Sequence, residues 1–476
     1  MSSIVKNILF FTLVNFVISI EDTCFYDGCR CVKNIDDSYD VMCVNPSDQI
    51  FPKRIKTNIT EIINTFLIKQ FKFTEIPNGT FDGLKIRNLI IGENNLEKIT
   101  TSTFRGIKFL SLIKIVEKNF ETIEPGSLDP ISEHLNELGI WQINYKSDRI
   151  DAFFDEISRL KKLRTLSLMG YGLENFKSEW TRALGNISFF SLGSNDLKSI
   201  DSNLFKSFTK LQSIDLSNNF LTNLTSVFEA LEPVKNTLRE IKLSSNFLTN
   251  LKDFSMFSNL QILDLSNNKI DKLPKTILNG LKQLNTLYLS SNLISSISDE
   301  ALHGLNELSA LILDNNHLNT VPSIRQLNNL RVLDLSNQNG KLVEIKNYSF
   351  DRENSTSSLY INLDLNEIKN FGPKAFCSKN SNISEIRKLD LGYNTTSVMD
   401  KCLLKQLKSK LTSKVEFNVV IKAQNLDKSY CDCKLKNFVK SIQVDLVGPC
   451  GDLTSVCKDE QKEVDKCDKK EFECGV

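Results

Sequence analysis

Residues 260–274 read LQILDLSNNKIDKLP, and the intervals between Leu260, Leu263, Leu265, Asn268, Ile270 and Leu273 decide the fold. Written as L-x-x-L-x-L-x-x-N-x-L, the pattern starts again at Ile86, Leu110, Leu135, Leu163, Ile187, Leu211, Leu238, Leu284, Leu308, Leu330, Ser358 and Ile386. Successive starts lie 22 to 28 residues apart. Weaker copies surround Ile63–Ile76 and Val415–Asn425. A near-constant period of this length marks stacked repeats rather than an ordinary core. The x-L-x-L-x segment is expected to form a short strand with its leucines inward and alternate residues in solvent. One such unit cannot cover its own apolar face. A core forms only by stacking, with parallel strands about 4.8 Å apart.

The asparagine has its own reason. After the strand the chain turns inward, its backbone groups lose water, and each then needs a partner. An Asn side chain supplies both donor and acceptor. Asn94, Asn195, Asn219, Asn246, Asn268, Asn292, Asn316, Asn366 and Asn394 hold this position, which predicts a hydrogen-bonded ladder along the stack. Lys118, Ile143, Tyr171 and Gln338 interrupt it, and irregular turns are expected there. Phe104, Leu128, Phe205, Leu302 and Phe376, deep in their units, are expected to close the opposite side and to account for much of the count of 30 Phe.

The ends of the chain point to a compartment. Ile8–Ile20 is apolar apart from Thr12, Asn15 and Ser19, follows Lys6 and precedes Glu21 and Asp22. This reads as a secretory signal peptide over residues 1–20, cleaved near Ser19 or Ile20. No later stretch is apolar for long enough to suggest a membrane span, and the C-terminus lacks the hydrophobic tail of a lipid-anchor signal. The 12 cysteines cluster as Cys24, Cys29, Cys31 and Cys43, then Cys377 and Cys402, then Cys431, Cys433, Cys450, Cys457, Cys467 and Cys474. Outside the cell such clusters are disulfides; the 3 His, none near a Cys cluster, argue against zinc. Cys377 and Cys402 fall at similar depths in successive units, one rung apart, and are expected to bridge. Sequons at Asn58, Asn78, Asn186, Asn223, Asn347, Asn354 and Asn382 are expected glycosylation sites. Asn394 is also a sequon, but as a ladder residue it turns inward and should stay bare.

With the period, the Cys24–Cys43 cluster and the C-x-C and F-x-C of Cys431–Cys474 in view, the chain resembles the extracellular leucine-rich repeat family with its paired cysteine-rich caps. The resemblance implies an α/β solenoid, a curved horseshoe with a parallel sheet on its concave face and disulfide-bonded caps. The expected organisation is a signal peptide at 1–20, an N-terminal cap at 21–62, about 13–15 repeats over 63–425, and a C-terminal cap at 426–476. Members of the family usually carry four cysteines in the C-terminal cap. Six here leave the connectivity open among fifteen pairings.

Chemistry leaves few traces. The sequence has no H-E-x-x-H, G-x-S-x-G or phosphate-binding glycine motif, and the three His are scattered: His134 just before a strand, His303 in a far-side segment and His317 in a ladder turn. No catalytic residue, metal or cofactor is expected, so the protein reads as a non-enzyme. A net charge of +1 with interspersed charges gives no footprint for nucleic acid. Asp215, Asp264, Asp334 and Asp390 recur at the middle strand position, with Lys114 and Lys242 interrupting them, and read as repeat scaffold. The early units differ: Ile90, Leu112, Val116, Trp141, Met169 and Phe189 fall at solvent-facing strand positions, where most later units carry Ser, Asp and Asn. Side by side they would make an apolar strip with aromatic anchors, a candidate ligand-binding surface. A register slip of one residue in these irregular units would instead turn them inward.

By resemblance, the expected function is a secreted recognition protein, engaging protein or glycan ligands through the concave face, in innate immunity or cell recognition. Two alternatives stand beside it: an extracellular matrix component, and a non-catalytic scaffold subunit of a secreted enzyme complex. A homodimer is left open.

Overall fold

The computed structural model describes residues 24–44, 51–56, 59–142, 150–170, 172–353, 357–372, 374–376 and 386–390. The leader reading at 1–20, the sequons Asn58, Asn354, Asn382 and Asn394, and the turns at Ile143 and Tyr171 lie outside these residues. So do Cys377, Cys402 and the cysteines from Cys431 to Cys474. Among the described residues no helix is long and apolar enough to cross a membrane. The described residues divide into two compact units, the first ending at Gly172 with 180–187 added, the second taking 173–179 and the described residues from Ser188 onward.

Both units are solenoids in which each repeat gives one strand to a long sheet. Among the described residues three pairs of neighbouring repeats add a short second strand each: Lys98–Ile99 with Thr122–Ile123, Lys272–Leu273 with Ser296–Ile297, and Glu344–Ile345 with Asn370–Phe371. In the first, Arg30–Lys33 and Tyr39–Val44 form an antiparallel hairpin. Tyr39–Val44 then pairs in parallel with Ile62–Lys69, and Lys85–Gly92, Phe109–Glu117, Glu137–Gln142 and Thr165–Met169 follow in order. The hairpin is tied by Cys24–Cys31 and Cys29–Cys43. In the second unit the strands shorten. Phe189–Ser191, Ser213–Asp215, Glu240–Lys242, Ile262–Asp264, Thr286–Tyr288, Ala310–Ile312, Val332–Asp334, Leu359–Asn362 and Ile386–Asp390 run parallel, each beside the next.

The period explains this order. Leu260, Leu263 and Leu265 are fully buried, and so are their equivalents Leu284, Leu287 and Leu289 one rung on. Each such side chain contributes about 1.5–3 kcal/mol by leaving water. Phe104, Leu128, Phe205, Leu302 and Phe376 are buried as expected. Phenylalanines also pack against one another, from rung to rung for Phe81–Phe104 with ring centroids 6.2 Å apart, and across a single rung for Phe190–Phe208 at 5.5 Å.

The ladder is present. Asn268 Oδ1 accepts from Leu248 N in the preceding rung, while its Nδ2 donates to Leu243 O, Leu265 O and Ser266 O. Asn219, Asn246, Asn292 and Asn316 repeat this set. The residue before each ladder position takes a left-handed backbone, from Ser194, Asn218 and Ser245 through Asn267, Ser291 and Asn315 to Asn337 and Leu365. Asn and Ser fit this role because short polar side chains tolerate φ near +55° better than bulky ones.

Two interruptions differ in outcome. Gln338 does not break the ladder. Fully buried, it accepts from Leu318 N and donates to Leu313 O and Ser336 O, which corrects the expected break in the ladder; the irregular turn is present just after it, where Asn339 and Gly340 take φ +47° and +70° and Lys341 N donates to Gln338 O. One extra methylene still reaches the same backbone groups, because an amide is an amide at either length. Lys118 does mark a departure. Glu117 precedes it, buried, without the left-handed backbone, and its carboxylate accepts from Asn94 N, Asn94 Nδ2 and Asn95 N at 2.8–3.0 Å. Burial pushes its carboxyl above the ordinary range, against the pull of those donors.

Candidate functional site

Alternation in the long early strands sets what faces solvent. Ile113, Ile115, Leu138, Ile140, Leu166 and Leu168 are buried, so Leu112, Val116, Trp141 and Met169 are left on the outer face, half-buried, as is Ile90. No register slip has turned them inward.

Strand pairing then shows which of them meet. Val116 lies beside Trp141, and Trp141 beside Met169, in one row across three strands. Ile90 pairs with Lys114 instead, one pleat lower, next to Leu67 on its other side. The strip therefore steps diagonally from Ile90 to Val116, within reach of long side chains. Leu112 stands apart in a third row beside Glu137, with Lys114 between it and Val116 on its own strand. Phe189 belongs to the second unit, where it is half-buried and pairs with Ser213. The six residues are thus not one row. Leu67 was overlooked in the sequence, although Ile63, Phe66 and Ile68 around it alternate inward.

Trp141 is held in place. A Cβ at Gly139 would stand 2.7 Å from its Cη2 and 2.8 Å from its Cζ3, so the indole lies on the bare backbone of its own strand. Its Nε1–H donates to Met169 Sδ at 2.6 Å. Lys114 Nζ sits 6.0 Å from the ring centroid and pairs with Glu137 Oε1 at 3.1 Å. Gly92, at the other end of the row, leaves space beside Val116, whose Cβ is 3.4 Å from where a glycine Cβ would be. The result is an aromatic plane with its polar atom already satisfied, a charged pair on one border and aliphatic neighbours along the row. An anchor fixed beforehand loses little freedom when a partner covers it.

The second unit presents other chemistry. Its Asp residues are engaged locally: Asp215 accepts from Ser217 N and Oγ, Asp264 from Ser266 N, and Asp334 from Ser336 N and Oγ. Each closes the turn after its strand, which gives the stripe a structural task. The later units are also less uniformly polar than expected. Ile262, Ala310, Val332, Tyr360 and Ile312 face outward half-buried, and Tyr288 is 38% exposed. Among the described residues no group of three His, Cys, Asp or Glu could hold a metal ion. The sequons Asn78, Asn186, Asn223 and Asn347 are all exposed, and each lies in a turn or loop outside the sheet strands.

Comparison with known proteins agrees with this architecture. The model described as "Leucine rich repeat" matches residues 258–318, and that described as "BspA type Leucine rich repeat region (6 copies)" matches 19–156 and 151–237. Search of curated proteins returns no match. Among solved structures, a chain of the Toll–Spatzle complex of Drosophila superposes with a TM-score of 0.56 at 16% identity, over 86% of this chain and 60% of that one. This chain thus spans 60% of the length of that relative, and at such identity the likeness concerns the fold alone. An internalin of Listeria monocytogenes is similar at 22% identity over 56% of this chain and 72% of its own, with a TM-score of 0.41. A leucine-rich repeat protein of Leptospira interrogans is similar at 21% identity over 68% and 92%, with a TM-score of 0.44. With repeat models matching more than half of the sequence and a strand, a buried leucine pair and an amide ladder recurring at the same period, the chain belongs to the leucine-rich repeat family.

Proposed function

We propose that this is a secreted, non-enzymatic recognition protein that grips a protein partner through the outer sheet face of its first unit. The observation that carries the reading is the row Val116–Trp141–Met169, with Trp141 laid over Gly139 and its N–H already bonded. Pre-positioned aromatics on an apolar row are what interface hot spots are made of. The Drosophila structure is of a Toll–Spatzle complex, and a protein ligand is the class carried over from it. Two disulfides at the N-terminal hairpin suit an oxidising compartment and support export, with a cap over 21–62, repeats over 63–425 and a second cap over 426–476. Glycans on Asn78, Asn186, Asn223 and Asn347 would all sit off the strands and leave the sheet face bare.

The test is native pull-down from the secretory fluid with mass spectrometry, comparing the parent chain with Trp141→Ala and Gly139→Ala. Both variants should fold and lose the captured protein. The second does so because an added methyl displaces the indole. Equal capture by all three chains would remove this surface as the site. Co-purification of a catalytic chain would favour a scaffold role instead.

A further inference from the structure

The residue after each ladder amide points out on a flank of the second unit. On four successive rungs it is Asp196, Phe220, Phe247 and Lys269. Their backbones are in register, because each N–H bonds the same carbonyl of the preceding rung: Leu173, Leu197, Leu221 and Leu248 in turn. Phe220 and Phe247 are 43% and 38% exposed, their rings stacked with centroids 5.6 Å apart and planes 9° apart. Lys269 Nζ lies 4.9 Å from the centre of the Phe247 ring. Two positions further along, past a buried Leu or Ile, a second exposed row runs Lys198, Thr222, Thr249, Asp271.

Both rows reverse their charge about the midpoint. Consider a second copy related by a two-fold axis that lies in this flank, along the rungs and midway between Phe220 and Phe247. Each row then faces itself in reverse order. Phe220 meets Phe247 of the second copy, Asp196 meets Lys269, and Lys198 meets Asp271, twice over by symmetry. Among the described residues neither Asp196 nor Lys269 is engaged in an ion pair, and the one that Lys198 makes with Glu174 is about two-thirds exposed and readily exchanged. We propose that this flank is a self-complementary surface through which two copies of the chain associate. Two stacked phenylalanines supply the apolar centre and the outer charges fix the antiparallel register. Across four rungs the rows span roughly 14 Å, which suits a concentration-dependent dimer rather than an obligate one.

The sequon at Asn223 borders the second row, so the experiment uses the full secreted chain and, beside it, the same chain carrying Thr225→Ala. This change removes the sequon and keeps the bond from residue 225 N to Asn223 Oδ1. Sedimentation velocity over about 1–500 μM should show a shift from monomer to dimer. Asp196→Lys and Lys269→Asp, each placing like charges together at two symmetry-related points, should each weaken association by about tenfold or more. The double exchange D196K/K269D should recover it to within about threefold of the parent, a rescue that a purely local effect on either residue would not give. Phe220→Ser with Phe247→Ser should abolish the dimer, with thermal melts confirming that the variants fold. A chain monomeric throughout that range, or a double exchange as weak as the singles, overturns the proposal.

Discussion

Replacing Asn268 by Ala isolates what one rung of the ladder is worth. Four hydrogen bonds disappear: one accepted from Leu248 N at 3.0 Å, and three donated to Leu243 O, Leu265 O and Ser266 O. The losses are unequal. Leu243 O keeps the donation from Asn246 Nδ2, Leu265 O keeps that from Asn292 Nδ2, and Ser266 O keeps that from Ser245 N. Only the Leu248 N–H, on a fully buried residue, is orphaned. An unsatisfied buried donor costs about 1–3 kcal/mol, and the bonds lost from the still-satisfied carbonyls add little, so the expected destabilisation is about 2–3 kcal/mol. Its neighbour Asn267 is exposed with φ +54°, and Asn267→Ala should cost about 1 kcal/mol through backbone strain alone. Urea titration by circular dichroism measures both, provided the slope m is unchanged. Hydrogen exchange adds a local reading, because protection should fall most at the Leu248 amide. If Asn268→Ala cost no more than Asn267→Ala, or if Leu248 kept its protection, the ladder would not be carrying the turn.

Other expectations follow from particular sites. Leu365 has φ +55° and is 52% exposed, so Leu365→Asn should stabilise the protein by about 1 kcal/mol, read as a higher urea midpoint. Glu117 has its folded pKa raised above the ordinary 4.5; stability is therefore full below that value and is lost as pH rises through the folded pKa. Glu117→Gln removes the titration, and its stability should improve relative to the parent as pH rises above the ordinary 4.5; a difference constant with pH would refute this. Removing Cys29–Cys43, which closes a span of 14 residues, by paired Ala substitution should cost about 3 kcal/mol in thermal or urea unfolding. Glycopeptide mapping of secreted chain should find the exposed Asn78, Asn186, Asn223 and Asn347 occupied.

Much of the scaffold could be read from spacing because burial and turn closure are strictly periodic. Leu263 and Leu287 are interchangeable by position, and so are Asn268 and Asn292. Trp141 could be placed on the outer face from alternation alone, since Leu138 and Ile140 flank it inward. Its neighbours could not be chosen as securely. Which outer residues share a row depends on pairing between strands 24 to 28 residues apart, so Ile90 and Leu112 were grouped with a row that they do not join. Glu117 was hidden for a different reason. A glutamate beside the ladder position looks like a surface residue until strand pairing brings its carboxylate over the N–H groups of Asn94 and Asn95 in the preceding rung. Gln338 erred in the other direction, because a different residue type there supplies the same functional group. The Phe220–Phe247 stack was invisible in a stretch that otherwise spells the repeat well.

The direction of the ladder has a consequence for how the chain is made. Asn219 completes the turn of the rung before it, bonding Leu197 N and Leu192 O, and Asn246, Asn268, Asn292 and Asn316 do the same for their predecessors. A turn is therefore finished only by residues translated a full period later. On the ribosome, where the N-terminus emerges first, the growing solenoid always carries one open turn at its newest end. From Asn219 to Asn316 each rung is sealed by its successor, and a chain stopped early at any of these repeats stops with the same single fault.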